Sequence, residues 1–278
     1  MFDTLVVVGV GLIGGSIAAA ARKRNVARRI VGLGRSAARL QGAVDSGLLD
    51  EAVETPEAIG LADLVVVCTP VDRIASDIRK LAAILPKTCL LTDAGSVKGP
   101  ICDALASPAG AVPNFVGGHP LAGSEKNGWE NADADLFQGK LCVTTPTGHE
   151  LPSAIEQVEA FWHGLGMQVR RMSPHDHDVA LALTSHLPHL VAAALAAQLG
   201  EEYRPFAARG FRDTTRVAAG DPDLWTTIFS SNAGPIADHL AAYATFLERY
   251  ATALRSNDAE TLRSLLLEGQ TARNAIDA

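Results

Sequence analysis

The sequence predicts a doubly wound α/β domain followed by an all-helical domain. Two observations predict this order. Apolar runs typical of buried strands alternate with amphipathic helical stretches up to about residue 172, which indicates a mostly parallel sheet covered by helices. No strand-like β-branched run follows Ser173-Pro174. We therefore predict one domain over residues 1–172 and a second over residues 173–278.

The composition limits the class of protein. Hydrophobic residues make up 47% of the chain and charged residues 20%, which is typical of a soluble globular enzyme. A net charge of −7 argues against nonspecific nucleic-acid binding, which requires a basic surface. The 4 cysteines lack CxxC spacing, so we expect reduced thiols in a cytoplasmic protein and no metal site.

The N-terminal run from Leu5 to Ala21 contains only apolar residues, Gly and Ser. It could pass for a signal peptide or a membrane span. Asp3 stands where a signal peptide needs a basic residue, and the run is slightly short for a span. We therefore predict no membrane partner.

A glycine-rich loop gives this run a better explanation. Leu5–Val8 is predicted as a buried strand and Ile17–Arg24 as a helix, with Gly9-Val10-Gly11-Leu12-Ile13-Gly14 between them. This GxGxxG spacing is typical of a Rossmann dinucleotide site: the first glycine makes the tight turn, the second admits the pyrophosphate, and the third lets the helix pack on the strand. The expected cofactor contacts are Gly9, Gly11, Leu12, Ile13 and Gly14.

The next predicted strand, Ile30–Leu33, ends in Gly34-Arg35-Ser36. NAD enzymes usually carry Asp or Glu here to bind the ribose hydroxyl. Because that carboxylate is missing, Arg35 and Ser36 could accept a 2′-phosphate, which favours NADP or dual use. In the alternative, Arg35 covers the adenine and NAD binds through other contacts.

Two further predicted strands end in polar residues. Thr69-Pro70 follows the apolar run that begins at Ala62, and Asp93-Ala94-Gly95-Ser96-Val97-Lys98 follows a strand over 88–92. Ligands of open α/β sheets lie beyond the carboxyl ends of strands, so we expect Thr69, Pro70, Ser96 and Lys98 to contact cofactor or substrate. For the hydroxyl residues the alternative is helix capping.

A histidine follows the next apolar run, Val112–Val116, in the stretch Gly117-Gly118-His119-Pro120. Histidine exchanges protons near neutral pH, so His119 is a candidate catalytic base. A lone histidine in a turn would more often be structural. A dinucleotide site before His119 and Ser96 at a neighbouring strand end favour catalysis.

The remaining elements complete the pattern. Strands are predicted over 141–145 and 167–172, with a helix over 153–164 between them, and helices over 175–200, 223–231, 234–255 and 258–276. Long Ala/Leu faces in so small a helical domain indicate packing against a second subunit, so we predict a homodimer.

The helical half offers several polar candidates. We interpret His175-Asp176-His177-Asp178 as a charged first helical turn rather than a metal tract. Of His186 and His189 on one predicted helix, we expect one to face the cleft and one to be structural. Gly210-Phe211-Arg212-Asp213-Thr214-Thr215-Arg216 is a basic segment whose guanidinium groups suit carboxylates, or alternatively a solvated salt-bridged face.

Together, these motifs resemble the prephenate/arogenate dehydrogenase family of tyrosine biosynthesis. The resemblance covers nearly the whole chain. It rests on the glycine loop, on the segment around Ser96, on Gly118-His119-Pro120-Leu121-Ala122-Gly123-Ser124-Glu125, on Ser185-His186-Leu187-Pro188-His189, and on the segment around Arg216 with Trp225 after it.

The resemblance implies oxidative decarboxylation with hydride transfer to NAD or NADP. It implies that His119 removes the proton of the ring hydroxyl, that Ser96 holds His119 and that hydroxyl in register, and that Arg216 binds the ring carboxylate. It further implies that His186 contacts the substrate side chain and that Glu125 and Trp225 line the pocket. No residue pattern decides between the keto side chain of prephenate and the amino side chain of arogenate.

Two other functions compete with this interpretation. A β-hydroxyacid dehydrogenase of similar architecture would carry a catalytic lysine in the helical domain, but no lysine follows Lys140. A noncatalytic dinucleotide-sensing protein would bind cofactor without turnover, and it gives no reason for His119, Ser96 and Arg216 to occur together.

Overall fold

A computed structural model describes residues 1–106, 111–124 and 126–276 of the chain. Eight strands of the described chain form one sheet. They are β1 (Phe2–Val8), β2 (Ala27–Leu33), β3 (Glu51–Val53), β4 (Leu64–Val67), β5 (Leu90–Asp93), β6 (Phe115–Pro120), β7 (Leu141–Thr145) and β8 (Gln168–Arg171).

Eleven α-helices of the described chain cover the sheet and follow it in sequence. They are α1 (Leu12–Lys23), α2 (Ala37–Asp45), α3 (Val71–Ile84), α4 (Gly99–Ala106), α5 (Pro152–Gly164), α6 (Pro174–Leu181), α7 (Leu187–Ala197), α8 (Arg209–Thr215), α9 (Pro222–Ser231), α10 (Ala233–Arg255) and α11 (Ala259–Asn274).

The sheet order is β3-β2-β1-β4-β5-β6-β7-β8, and the pairs from β3 to β6 are all parallel. β7 runs antiparallel to β6, and β8 runs parallel to β7. The central strands carry apolar side chains on both faces, and these pack into two separate clusters. The predicted doubly wound fold is confirmed. Its parallel strands place the ends of β1, β4, β5 and β6 along one edge.

Some short elements were not predicted from the sequence. β3 and helices α2, α4 and α8 are short, and none was predicted. The apolar run from Leu5 to Ala21 forms parts of β1 and α1, with the glycine loop between them, so it is not one continuous helix.

The predicted helix over 175–200 is interrupted. A π-helical turn, Ala182–His186, separates α6 from α7, and Pro188 lies in the first turn of α7. Proline has no N–H to bond the preceding turn, so the helical ladder shifts there. Single π turns of this kind are frequent at functional sites.

Among the described residues one helical run, Pro174–Ala197, is long and apolar enough to cross a membrane by length and composition. Two of its polar side chains argue for a helix of a folded domain instead. His177 and Asp178 are 0% and 5% exposed and bond to β6 and to the start of α4.

By compactness the chain divides into two units, Met1–Asn232 and Ala233–Ala278. The first unit contains the sheet together with α6 to α9, since α6 contacts α4 and β7 and α9 contacts α3. This division lies beyond the change in composition at residue 173, so the domain boundary read from the sequence stays a prediction.

The second unit consists of α10 and α11, which pack against each other. Several large apolar side chains remain exposed on these two helices. They are Leu247, Leu254, Leu266 and Leu267.

Candidate active site

The glycine loop between β1 and α1 has the geometry that a dinucleotide requires. Gly9 has φ +86°, where only glycine is unstrained, and a Cβ there would lie 2.9 Å from the Cys68 carbonyl oxygen. A Cβ on Gly14 would clash with the Gly9 carbonyl oxygen and lie 2.9 Å from Val7 Cγ1. A Cβ on Gly11 would meet no atom within 4 Å. Gly9 and Gly14 therefore shape the loop, while Gly11 leaves its outer side open.

The start of α1 supplies anion-binding groups beside this open side. Gly11 is the N-cap, and no acidic residue lies in the first turn. The first N–H groups of a helix have no partner within it, so those of Leu12, Ile13 and Gly14 are available to phosphate oxygens. The loop thus fits a pyrophosphate.

The end of β2 carries both a basic and an acidic group. Arg35 is exposed, and Ser36 is the N-cap of α2 without a side-chain capping bond. The Glu54 Oε1 atom accepts a hydrogen bond from the Ala37 backbone N–H at 2.8 Å. This carboxylate was not predicted at the end of β2 because Glu54 follows β3, a strand that the sequence pattern did not indicate.

Thr69 and Pro70 lie at the end of β4, which neighbours β1 in the sheet. The Thr69 hydroxyl donates to Asp77 Oδ2 at 2.9 Å, and Pro70 is the N-cap of α3. Thr69 is partly exposed and Pro70 exposed, so both can contact a ligand at this edge.

His119 lies within β6 itself, opposite Val143 of β7. Its Nδ1 atom is 2.8 Å from the Nε2 atom of His177. Nε2 of His119 makes no hydrogen bond to any described residue, and neither does the Ser96 hydroxyl. The group that holds the His119 ring in this structure is therefore His177, rather than Ser96.

His177 is in turn bonded to Asp178. The His177 Nδ1 atom is 2.7 Å from Asp178 Oδ1, which also accepts the Lys98 backbone N–H at 2.8 Å. Asp178 Oδ2 accepts the Gly99 N–H at 2.7 Å. His175–Asp178 does form the first turn of α6, as predicted, but its second half is buried because α6 packs that side against α4 and β7.

A buried ion pair fixes the backbone next to His119. Lys98 and Asp93 are both 0% exposed and form a salt bridge. Lys98 Nζ also donates to the Gly118 carbonyl at 3.0 Å, and Asp93 Oδ1 accepts the Gly118 N–H at 3.0 Å. The expectation that Lys98 contacts a ligand is wrong, because its ammonium group is used inside the core.

The electrostatics keep these histidines neutral. Burial lowers the pKa of His119 well below its usual range, and the charges of His177, Lys98 and His186 lower it further. Burial also lowers the pKa of His177, against the opposing effect of Asp178. The pKa of His186 falls to about 4, again mainly through burial. Near pH 7, His119 is thus an unprotonated base.

An aromatic cluster packs against this region from α7 and α9. The His189 ring stacks on Trp225 with centroids 3.5 Å apart, and its buried Nδ1 atom has no hydrogen-bond partner within the described part of the chain. His186 is 1% exposed, lies edge-on to Trp225 at 6.3 Å, and places Nδ1 3.2 Å from Asn232 Nδ2. His186 is therefore engaged within the protein, while one nitrogen of His189 is left unpaired.

The basic segment forms α8 and the turn after it. Arg209 pairs with Asp213, and Arg212 donates to the Ala207 carbonyl. Arg216 is exposed and makes no ion pair with a described residue. Its guanidinium is available to an anionic ligand. Glu125, the other predicted pocket residue, lies outside the described residues.

Two family models match the chain. "Prephenate dehydrogenase, nucleotide-binding domain" matches residues 17–171, and "Prephenate dehydrogenase, dimerization domain" matches residues 173–268.

Individual relatives agree with these matches. The chain is 34% identical to a prephenate dehydrogenase of Bacillus subtilis (strain 168), over 94% of this chain and 73% of that protein. It is 35% identical to a cyclohexadienyl dehydrogenase of Zymomonas mobilis, over 99% and 97%. The structure superposes with a TM-score of 0.91 and 32% identity on prephenate dehydrogenase from A. aeolicus in complex with hydroxyphenyl propionate and NAD+, covering 99% of each chain. This chain belongs to the prephenate dehydrogenase family.

Proposed function

We propose that this protein oxidatively decarboxylates prephenate or arogenate with NAD(P) in tyrosine biosynthesis. The observation that carries this function is the placement of His119, an unprotonated base with a free Nε2, at the sheet edge where the glycine loop also lies. Relatives at 34% and 35% identity are named prephenate and cyclohexadienyl dehydrogenases.

The chemistry follows from these residue types. The nicotinamide cofactor, when bound, supplies the hydride acceptor. His119 Nε2 accepts the proton of the ring hydroxyl as hydride leaves the same carbon, and the proton returns to the oxygen once CO2 has left the opposite ring carbon. The ring becomes aromatic, which drives the reaction. The product is 4-hydroxyphenylpyruvate from prephenate or tyrosine from arogenate.

We assign the substrate contacts from the side chains that remain available. Arg216 has no ion-pair partner among the described residues and binds the ring carboxylate. The unbonded Ser96 hydroxyl, at the end of β5, contacts the substrate hydroxyl. We also assign Trp225 and Glu125 to the pocket wall. His186, although it is 1% exposed and lies edge-on to Trp225, we assign to the side of the pocket that meets the substrate side chain.

For the cofactor we propose NADP or dual use, with Arg35 and Ser36 receiving the 2′-phosphate. The guanidinium of Arg35 supports this choice, because it is exposed and pairs with no described residue. The Glu54 carboxylate at the start of α2 opposes it. Replacing Arg35 with Ala should weaken NADP binding more than NAD binding. Glu54→Gln should weaken NAD binding more than NADP binding. Equal losses for both cofactors in Arg35→Ala would contradict the 2′-phosphate contact.

We further propose a cytoplasmic homodimer formed through the helical part of the chain. The exposed leucines of α10 and α11 support it, as does the family model described as a dimerization domain. Free thiols at all 4 cysteines are consistent with a reducing compartment. Light scattering of the purified protein should give twice the 29.1 kDa chain mass.

One assay tests the activity. Purified protein is mixed with prephenate or arogenate, each with NAD or NADP, and the absorbance of reduced cofactor is followed. Turnover in at least one mixture is expected. Cofactor binding without turnover in all four mixtures would favour the dinucleotide-sensing alternative. Turnover of an added β-hydroxyacid, with none of prephenate or arogenate, would favour the β-hydroxyacid dehydrogenase alternative.

Two variants test the assigned roles. His119→Asn should lower kcat by roughly 10²–10⁴-fold, the usual contribution of a general base, while cofactor binding persists. Arg216→Ala should mainly raise KM for the substrate. An unchanged kcat in His119→Asn would remove His119 from the role of base.

A further inference from the structure

We propose that His177 and Asp178 are positioning residues that fix the tautomer of His119, so that its basic lone pair lies on Nε2. This inference rests on the proposed function, in which His119 Nε2 accepts the substrate proton. Its basis is an unbroken series of hydrogen bonds from the start of α4 through Asp178 and His177 to His119.

In this series every hydrogen bond is donated toward Asp178, because a carboxylate can only accept hydrogen bonds. Asp178 receives the backbone N–H groups of Lys98 and Gly99, and it is 5% exposed. It sits 2.7 Å from His177 Nδ1, so that nitrogen must carry a hydrogen and donate it. The carboxylate cannot rotate away, since both oxygens are held by backbone groups.

The position of the hydrogen on His177 in turn fixes the hydrogen on His119. A neutral imidazole has one N–H, so His177 with its hydrogen on Nδ1 presents a lone pair at Nε2. His119 Nδ1 lies 2.8 Å from that lone pair and must donate to it. The one N–H of neutral His119 is then on Nδ1, and Nε2 is left as the base.

The groups around His177 favour its neutral form. Burial and the nearby Lys98 ammonium lower the pKa of His177, while Asp178 and Asp93 raise it. The net shift is downward, so His177 keeps a lone pair for His119 near neutral pH. Burial and the Lys98 ammonium likewise lower the pKa of His119 and oppose its protonation before substrate arrives.

Asp178 also has a role once the proton moves. The substrate O–H bond breaks, a new N–H bond forms at His119 Nε2, and His119 becomes an imidazolium that still donates from Nδ1. Its positive charge then faces the Asp178 carboxylate through the polarisable ring of His177. This is the division of roles in an acid–histidine pair, where the carboxylate orients the ring and stabilises its charged form.

The first test reverses the direction of the hydrogen bonds between residue 178, His177 and His119. In Asp178→Asn the amide oxygen at the Oδ2 position still accepts the Gly99 N–H, and the NH2 group at the Oδ1 position donates to His177 Nδ1, which moves the hydrogens of both rings. The Lys98 N–H, which Oδ1 accepts in the wild type, loses its acceptor. His119 Nε2 then carries a proton and cannot act as base. We expect kcat to fall about 10²–10⁴-fold with KM for the cofactor unchanged. His175→Gln, on the same helix but exposed, is the matched control and should behave as wild type.

The second test separates tautomer fixing from packing. Glutamine at position 177 carries an N–H donor and an oxygen acceptor with a spacing close to that of the two imidazole nitrogens. It can donate to Asp178 and accept from His119. We therefore expect His177→Gln to retain at least about tenfold more kcat than His177→Leu, which fills space but bonds neither neighbour. Equal kcat for the two would refute the role of His177.

The third test does not depend on activity. Nitrogen-15 NMR of the histidine rings distinguishes protonated from unprotonated nitrogens, and loss of signals in His119→Asn assigns His119. Wild type should show a protonated Nδ1 and an unprotonated Nε2 at His119, and Asp178→Asn should show the opposite. A protonated Nε2 in wild type overturns the proposal. Should Asp178→Asn fail to fold, the wild-type spectrum and the two position-177 variants decide.

The outcomes for the activity and for the tautomer are distinguishable. No turnover by wild type in any of the four substrate and cofactor mixtures would refute the proposed function, whatever the spectrum shows. Turnover by wild type together with an Asp178→Asn kcat within threefold of it would refute the positioning role alone.

Discussion

The buried ion pair beside His119 allows a worked prediction of stability. In Lys98→Met the side chain keeps its length but loses its charge. Among the described residues, Asp93 is then left 0% exposed with only the N–H groups of Gly95 and Gly118 as donors, and the Gly118 carbonyl loses its hydrogen bond from Lys98. Breaking a buried pair costs about 3–5 kcal/mol. Because two backbone donors remain on Asp93, we expect the lower end, about 3 kcal/mol.

The chain offers a matched control at its surface. Lys23 pairs with Asp135 at 2.5 Å, but both side chains are 53% exposed. Exposed pairs contribute about 0–1 kcal/mol, so Lys23→Met should cost less than 1 kcal/mol. In the double variant Lys98→Met with Asp93→Asn no unpaired charge is buried, so part of the lost stability should return.

Urea unfolding followed by circular dichroism measures these differences. The transition midpoint of Lys98→Met should fall clearly below that of Lys23→Met, and Asp93→Asn added to Lys98→Met should raise it again. A Lys98→Met loss no larger than that of Lys23→Met would refute the argument that burial makes this pair important. A double variant less stable than Lys98→Met would refute the unpaired charge as the cause.

Three further predictions use the same structure. Gly11→Ala should leave the melting temperature nearly unchanged but weaken NAD(P) binding at least tenfold, as measured by titration calorimetry. Gly14→Ala should lower the melting temperature, because its Cβ would meet the Gly9 carbonyl oxygen. Equal melting temperatures for the two variants would contradict this. The free energy of unfolding should fall as pH drops from 6.5 to about 4, because His186 takes up a proton more readily in the unfolded chain than in the folded one. The pKa difference corresponds to a loss of about 3 kcal/mol, which chemical denaturation at several pH values measures. An unfolding free energy that does not change with pH in this range would contradict it. Gly118→Ala should lower both stability and kcat, because its Cβ would lie 2.9 Å from the Asp93 carbonyl and 3.0 Å from Trp162 Nε1; wild-type values for both would contradict it.

Local patterns predicted most of the fold. Alternating strand and helix runs indicated the parallel sheet, and β7 was predicted with its observed bounds, Leu141–Thr145. The short elements β3, α2, α4 and α8 were missed. They have too few residues for a period to show, and contacts with the sheet and with neighbouring helices stabilise them.

The site residues, too, were predicted only where a local pattern along the chain marks them. The glycine loop was predicted residue by residue, because strand, turn and helix start are adjacent in sequence and each glycine answers a local steric demand. Glu54 was not foreseen at the end of β2, since it reaches Ala37 through a hydrogen bond across 17 residues. A local pattern carries no signal for such a bond.

The sequence by itself thus determined the fold class, the dinucleotide loop and the identity of His119 as the candidate base. Only the tertiary structure decided how that base is held: by His177, which is 58 residues away, and by Asp178, which bonds the Lys98 N–H 80 residues away. It also turned Lys98 from an expected ligand contact into a buried support of the Gly118 backbone. The physical reason is that a tautomer and a buried charge depend on the atoms that surround them in space, which a spacing of residues along the chain does not contain.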